Sequence, residues 1–496
     1  MKASEGDRPG PVRPGRAAQW GAVLVGLCLA VLAGERIRLA PEDGALPTRK
    51  RVLLLTVDTL RADHVGTAPY GLPNTPFLDG LLASAQRFER AVTPVPRTTP
   101  AVASLLTGTY PHTNKVRSLA DPLAEEIVSV AELFRVQGYR TIAVVSNHVL
   151  RPRRGLTRGF EVYDYAGDAR DGVATSKAAL AHVARVAPDE PVFLWVHYID
   201  PHVPYAPPEA LAEAFDPGYE GRYDLHFGGE PGATGPLAFP PDLPKREAIY
   251  ANPLPERVTE HVRRLYAADV RATDAAIADL MAGLDAAGGP WSVILTADHG
   301  ESLGEHDYHW EHGDYVFDGT VRVPLAFLFP EGDPLRRARS HEDWVSLVDV
   351  MPTLVELFGL PVPYDLAYAI EGRSLVPALE GEALSPRPVF AESGRSHHPE
   401  EIRGRVRFDV AGRFRAVHAG DWKLIWTPYQ EPDAEFALFH LATDPGETRN
   451  LYTPDHPQGR ALRSALSAWL RDMDDPTETA LDARDLELLR SLGYVE

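Results

Sequence analysis

The chain has 496 residues, 44% of them hydrophobic, and a formal net charge of −20 from 70 acidic against 50 basic side chains. The apolar content excludes disorder of the whole chain, and the length exceeds one average domain. The acidic balance excludes nonspecific nucleic-acid binding, which needs a basic face, but not an anionic substrate, because a metal ion and a few His or Arg residues reverse the sign locally. The single cysteine, Cys28, excludes an internal disulfide and any thiolate metal site in the folded part.

Lys2, Arg8, Arg13 and Arg16 precede an uncharged segment, Ala17 to Gly34, that is nearly all apolar from Trp20 to Ala33. This is a basic n-region followed by an h-region. The uncharged stretch just reaches the roughly 17–25 residues that span a bilayer. A single N-terminal anchor is the preferred reading. Val31-Leu-Ala33 also reads as a cleavage site, so removal as a signal is the alternative. Both put the rest of the chain outside the cytoplasm by the positive-inside rule, although Arg36 and Arg38 on the far side oppose it. A charged, Pro-containing linker runs from Glu35 to Lys50.

Short apolar runs then alternate with helical patterns. Strands are predicted at Arg51 to Val57, Thr141 to Val145, Pro191 to His197, Ser292 to Ala297 and Val323 to Phe329. Helices are predicted at Pro76 to Phe88, Pro100 to Leu106, Ile127 to Gln137, Ser176 to Val186 and Val258 to Leu284. Such alternation implies an α/β fold with a mostly parallel sheet flanked by helices. Sites in such sheets form beyond the carboxyl ends of the strands. Asp58, Asn147 with His148, and Asp298 with His299 follow predicted strands, and His197 ends one with His202 in the loop beyond it. Pro207 to Pro255, centred on the Gly-rich stretch Gly228 to Gly235, is a long excursion, either a substrate wall or a passive insertion. From about Arg387 the pattern becomes that of a smaller antiparallel subdomain. Its strand candidates are Arg413 to His418, Asp421 to Trp426 and Phe436 to Leu441, and Arg460 to Met473 reads as a helix.

A carboxylate at a strand end, such as Asp58, must be hydrated, paired or metal-bound; a helix N-cap is the plain alternative. Asp298-His-Gly-Glu301 is a stronger signal, because adjacent carboxylate and imidazole suit a divalent cation. It opens a loop that also holds His306, His309 and His312; for His306 and His309 solvent exposure is expected. In Arg97-Thr-Thr-Pro-Ala-Val-Ala-Ser-Leu-Leu-Thr-Gly108, Pro100 suits the first helical position, leaving Thr98 or Thr99 at a helix N-terminus. A hydroxyl there either caps the helix or, beside a metal, acts as a nucleophile.

Together these segments resemble the sulfatase family of the alkaline phosphatase superfamily. The resemblance runs from about Arg51 to the C-terminus. Leu55-Thr-Val-Asp-Thr-Leu-Arg-Ala-Asp-His64 resembles the first metal segment, and Thr98 to Gly108 with Tyr110-Pro-His112 the nucleophile segment. Trp195 to Tyr205 resembles the substrate-histidine segment, and Thr296 to His306 with His312-Gly and Val323-Pro the second metal segment. Val348 to Leu354 and Leu441 to Leu451 are similar to later landmarks. The resemblance implies metal ligands at Asp58, Asp298 and His299, a nucleophile at Thr98, ester contacts or leaving-group assistance by His202 and His312, and a further site histidine at His148. It favours one divalent ion, calcium before magnesium, manganese or zinc.

The departures concern the chemistry. The position often filled by a cysteine or serine that becomes formylglycine is Thr98, which cannot form that aldehyde, so no formylglycine is expected. Ala101 and Val102 replace a serine and a metal-binding arginine, Thr59 replaces a second acidic residue, and Ser146 replaces a lysine. The expectation is a metal-dependent hydrolase of sulfuric or phosphoric esters using a threonine nucleophile. Its substrate is a small-molecule, glycan or lipid anionic ester. The alternatives are a membrane-anchored phosphoryl-group transferase acting on lipid or glycan, and a catalytically idle binding protein of the same fold. The expected division is an N-terminal segment 1–47, a catalytic domain 48–385 and a C-terminal subdomain with tail 386–496.

Overall fold

The computed structural model describes residues 49–66, 72–152, 155–166, 170–219, 255–363, 369–394, 413–427 and 435–471. The predicted N-terminal anchor or signal and the Gly228 to Gly235 stretch lie outside the described residues. Among the described residues no helix is long and apolar enough to cross a membrane.

Three fully buried strands form the centre: β1 (Arg51–Val57), β5 (Val192–Tyr198) and β6 (Trp291–Ala297). Their unbroken apolar runs are what burial on both faces requires. The sheet also contains β2 (Gln86–Val92), β3 (Arg140–Val145), β4 (Val162–Tyr165), β7 (Leu325–Leu328) and β8 (Arg339–Ser346). Its order is β8-β2-β7-β6-β1-β5-β3-β4, with the two-residue strand Arg322–Val323 paired to β2. All pairings are parallel except those of β7 with β2 and β6 and of Arg322–Val323 with β2.

Register decides where the site falls. Val57 lies opposite Tyr198 on one side and Ala297 on the other, and Val145 lies opposite His197. The chain therefore leaves β1, β6 and β3 at one edge, bringing Asp58, Asp298 and Asn147 together there.

Several expected elements change. The helix expected over Pro76 to Phe88 ends at Leu82, because Gln86, Arg87 and Phe88 alternate buried, exposed, buried and start β2. The run Val323 to Phe329 divides at Pro324, which lacks an N–H for a continuous ladder, and its longer part runs antiparallel. Strands β4 and β8 were not anticipated. Both are edge strands with polar, partly exposed residues, so neither shows an apolar run. The helices flanking the sheet include α1 (Thr98–Thr107), α2 (Gly172–Val183) and α3 (Glu256–Ala286).

A second sheet carries β9 (Val389–Glu392), β10 (Arg415–Ala419), β11 (Trp422–Trp426) and β12 (Phe436–His440), paired antiparallel in that order. Its period-two alternation serves two cores. Ala416, Ile425 and Phe439 pack with Val92, Tyr315 and Trp344 of the main body. Val417, Leu424 and Leu438 pack under Leu462 and Leu466 of α4 (Pro457–Leu470). A buried polar junction adds to this contact. Lys423 Nζ lies 2.8 Å from Asp318 Oδ1 and 2.6 Å from Glu447 Oε1, and His418 Nε2 lies 2.9 Å from Asp318 Oδ1.

Candidate active site and metal centre

Asp58 leaves β1 fully buried, its backbone N–H donating to the Tyr198 carbonyl at 2.9 Å. The next residue, Thr59, has φ +54°, uncommon for a β-branched side chain. The Tyr266 hydroxyl holds this bend, donating to the Thr59 carbonyl at 2.8 Å and accepting from the Arg61 N–H at 3.0 Å. Strain of this kind concentrates at functional sites.

One oxygen of each site carboxylate is committed to the protein and the other is not. Asp58 Oδ2 accepts from Asn147 Nδ2 at 2.5 Å and lies 3.3 Å from His197 Nε2. Asp298 Oδ1 accepts from the His299 N–H at 2.9 Å. Asp58 Oδ1 and Asp298 Oδ2 are buried without a hydrogen-bond donor. They lie 3.6 Å and 3.5 Å from His299 Nε2. The Nδ1–H of His299 donates to the Gly300 carbonyl at 2.9 Å, which leaves the lone pair on Nε2. Two orphaned oxygens and one imidazole lone pair thus converge, a donor set that fits a divalent cation.

His197 was passed over as a ligand in the sequence. Atoms of Asp58, His197 and Asp298 lie within 4.8 Å of one another, so His197 belongs to the same cluster. Its Nδ1 is 2.8 Å from Thr56 Oγ1, which accepts from Trp195 Nε1 at 3.0 Å. Trp195, Thr56 and His197 thus form a hydrogen-bonded chain ending on Asp58.

Thr98 sits in the first turn of α1, with Arg97 as the N-cap residue and no side-chain cap. Pro100 is therefore the third helical residue, not the first. Thr98 does not cap. Its hydroxyl is 3.3 Å from His299 Nε2 and 3.5 Å from Asp58 Oδ2. Thr99 faces away, its hydroxyl toward the Val149 carbonyl at 3.4 Å.

His202 and His312 complete the group. The His312 ring centroid is 4.3 Å from that of His299 and 5.0 Å from that of His202. His148 is buried in the turn after β3, but the residue of that turn that bonds Asp58 is Asn147. Within the loop, His306 is exposed as expected and stacks on Phe317, whereas His309 is buried. The replacements at Ala101 and Val102 are fully buried in α1. A separate cavity of about 520 Å³, lined in part by Arg61, Glu305, Phe317, Asp318, Arg322 and Glu447, contains none of these site residues.

The electrostatics match a site built around a positive charge. Burial raises the Asp58 carboxyl, but the hydrogen bond from His197 and its other neighbours outweigh it and hold it low. Burial first, and the Asp58 charge second, push Asp298 well above the usual range. Burial lowers His299, helped by His312, and also lowers His202. Burial raises Glu301 to about 8.

A mostly parallel sheet with its polar residues at the carboxyl edge, a carboxylate pair and a helix-borne hydroxyl define a member of the alkaline phosphatase superfamily. The family model "Sulfatase" matches residues 50–360, and "N-sulphoglucosamine sulphohydrolase, C-terminal" matches residues 304–475. The chain belongs to the sulfatase family and has the enzyme class of a sulfuric ester hydrolase. It is 27% identical to the ulvan-active sulfatase of Formosa agariphila, over 90% of this chain and 85% of that protein. It is 27% identical to the N-sulphoglucosamine sulphohydrolase of Homo sapiens, over 82% and 87%. The phosphonate monoester hydrolase of Agrobacterium radiobacter shares its fold, with a TM-score of 0.64 at 19% identity over 85% of this chain and 95% of that one.

Proposed function

We propose that the protein hydrolyses sulfate esters through a covalent intermediate on Thr98. The observation that carries this reading is the position of the Thr98 hydroxyl, 3.3 Å from His299 Nε2 and 3.5 Å from Asp58 Oδ2. Asp58, Asp298 and His299 would hold one divalent cation, calcium before magnesium, manganese or zinc. When bound, that ion supplies Lewis-acid stabilisation of charge on the ester. His197 and Asn147 orient Asp58.

The chain's own groups carry the reaction. The Thr98 oxygen attacks sulfur as its anion, in line with the departing alcohol. The S–O bond to the alcohol breaks, its electron pair passes to the leaving oxygen, and His202 or His312 supplies the proton. Water then attacks the sulfated Thr98 and gives a proton back to that histidine; the Thr98 O–S bond breaks, releasing sulfate and regenerating the threonine oxyanion. The absence of a formylglycine precursor at this position is what makes threonine the proposed nucleophile. The names of the relatives, ulvan-active sulfatase and N-sulphoglucosamine sulphohydrolase, support a sulfated glycan as substrate.

We further propose a catalytic domain over residues 48–385, a C-terminal subdomain over 386–496, and a location outside the cytoplasm directed by the N-terminal segment. The test is a panel of aryl sulfate, phosphate monoester, phosphodiester and phosphonate substrates with the wild type, Thr98→Ser and Thr98→Ala. Turnover is expected to favour sulfate, to persist in part in Thr98→Ser and to vanish in Thr98→Ala with metal content unchanged. Normal turnover by Thr98→Ala overturns the mechanism.

A further inference from the structure

The nucleophile segment and the histidine loop meet at one side chain, Arg97, which directly precedes Thr98. Arg97 is the extended N-cap residue of α1, with φ −157°, and it is buried. Two glycines face its stem. Gly313, which directly follows His312, has φ +97°, and a Cβ there would lie 3.5 Å from Arg97 Cδ, an ordinary contact. Gly394 stands closer. A Cβ there would lie 2.7 Å from both Cβ and Cδ of Arg97, well inside the 3.5–4.0 Å at which carbon atoms pack. The two glycines also bond each other, the Gly394 N–H donating to the Gly313 carbonyl at 2.7 Å. Arg97 Nη1 donates to the Gly394 carbonyl at 3.2 Å, so the stem and the tip of this side chain hold the same neighbour.

Gly394 belongs to the smaller subdomain. It ends a buried strap, Glu392 to Gly394, that leaves β9. The Glu392 N–H donates to the Pro94 carbonyl at 2.8 Å, in the segment that leads to Arg97. Ser393 ties the strap to the start of β10: its N–H donates to the Phe414 carbonyl at 2.8 Å, and its hydroxyl accepts from the Phe414 N–H at 3.1 Å. Its carbonyl accepts from Arg413 Nη1 at 2.9 Å. Buried backbone groups have no water to fall back on, so these bonds fix the strap in place. The two segments it joins converge on one imidazole. Thr98 Oγ1 lies 3.3 Å from His299 Nε2, and the His312 ring centroid lies 4.3 Å from that of His299.

We propose, on the reading of Thr98 given above, that Gly394 and Arg97 are positioning residues through which the C-terminal subdomain fixes the nucleophile relative to His312. The Arg97 stem is a wedge between Gly313 and Gly394. Because Arg97 is joined to Thr98 and Gly313 to His312, the thickness of that wedge sets the spacing of the two segments. Neither Gly394 nor Arg97 acts on the ester in this arrangement. The second sheet is therefore part of the catalytic apparatus, although Asp58, Asp298 and His299 all follow strands of the main sheet.

The test compares wild type, Gly394→Ala, Arg97→Gly, their double variant and Arg97→Met. It reads kcat and KM on 4-nitrophenyl sulfate, cation affinity by calorimetric titration, and the crystal structure of Gly394→Ala. Alanine at 394 has to push Arg97 aside, and misplacing a reacting group by about 1 Å costs about 100-fold in rate. Gly394→Ala is therefore expected to lose about 100-fold in kcat at unchanged KM and cation affinity, with Thr98 Oγ1 displaced from His299 Nε2 in its structure. Glycine is accepted at an N-cap, so Arg97→Gly keeps the helix start while removing the wedge. In that background the new Cβ at 394 has nothing to strike, and Gly394→Ala should cause little further loss. Arg97→Met keeps the stem without the charge and should keep most of kcat. Losses that multiply in the double variant, as two unconnected structural defects would give, overturn the proposal. So does a Gly394→Ala structure with Thr98 in place. So does an Arg97→Met as poor as Arg97→Gly with a raised KM, the mark of a guanidinium that holds the ester. Should Gly394→Ala not fold, the contrast between Arg97→Met and Arg97→Gly decides. Failure of the parent reading looks different: the wild type would turn over no aryl sulfate, and the position of Thr98 in the Gly394→Ala structure would still decide whether the strap positions it.

Discussion

Asp298→Asn separates the cation from the scaffold that holds it. The Asp298 carboxyl is fully buried, one oxygen has no donor, and burial with the adjacent Asp58 charge raises it well above its ordinary range. A carboxyl raised in the folded state contributes stability that is complete below its unfolded value and is lost as pH rises toward the folded value. At neutral pH, with chelator present, the wild type therefore carries a cost that asparagine removes, so the variant should melt higher. Adding a cation reverses the ranking. A site filled at 100 times Kd adds about 2.7 kcal/mol to the wild type. Scaled to a chain of this length, that is a rise in Tm of roughly 2.5 °C. The variant should gain little, because one of the two orphaned anionic oxygens has become a neutral amide. The assay is thermal melting of both proteins in EDTA and in excess calcium, with calorimetric titration of the ion. If Asp298→Asn melts lower than the wild type in EDTA, or gains as much from calcium, the two oxygens do not form a cation site.

Two further outcomes follow from neighbouring residues. Asn147→Ala removes the 2.5 Å donor to Asp58 and should weaken cation binding about 10–100-fold by titration, as for other groups that orient a ligand; unchanged affinity would contradict that role. At the junction between the two sheets, burial first and Lys423 second lower His418 to about 4. A histidine depressed in the folded state contributes stability that is full above its unfolded value near 6.5 and lost as pH falls toward 4, on the order of 3 kcal/mol. His418→Gln should flatten the fall of Tm with acidification across that window, and an unaltered slope would refute the coupling.

The central strands and the polar edge were legible because two physical rules act strongly there. Strands buried on both faces read as unbroken apolar runs, and the residue that ends such a run sits at the edge where sites form. That is enough to find Asp58, Asp298 and His299 and to bring them together. Edge strands obey neither rule, and β4 and β8 show no apolar run because they carry polar, partly exposed residues. Pro100 is the third helical residue and not the first because no N–H of the first turn has an intrahelical partner to lose, so proline is tolerated beyond its preferred position. The residues that orient others were harder still. Asn147 and His197 look ordinary in sequence, and what distinguishes them is a partner far along the chain, Asp58. Their usable signal was position alone, Asn147 just past one predicted strand and His197 at the end of another, the latter next to β1. The motif of residues 97–108 placed a hydroxyl at a helix start, but capping and nucleophilic roles differ only in what stands opposite, and that is set by the register of β1 against β6.

The most direct test of a threonine-centred sulfate ester hydrolase is to stop the enzyme in acid during turnover of 4-nitrophenyl sulfate and map the digested peptides by mass spectrometry. A sulfated peptide is expected, with the group on Thr98, appearing in the wild type and absent from Thr98→Ala. Steady turnover with no modified peptide, or a modified peptide that does not contain Thr98, would contradict it.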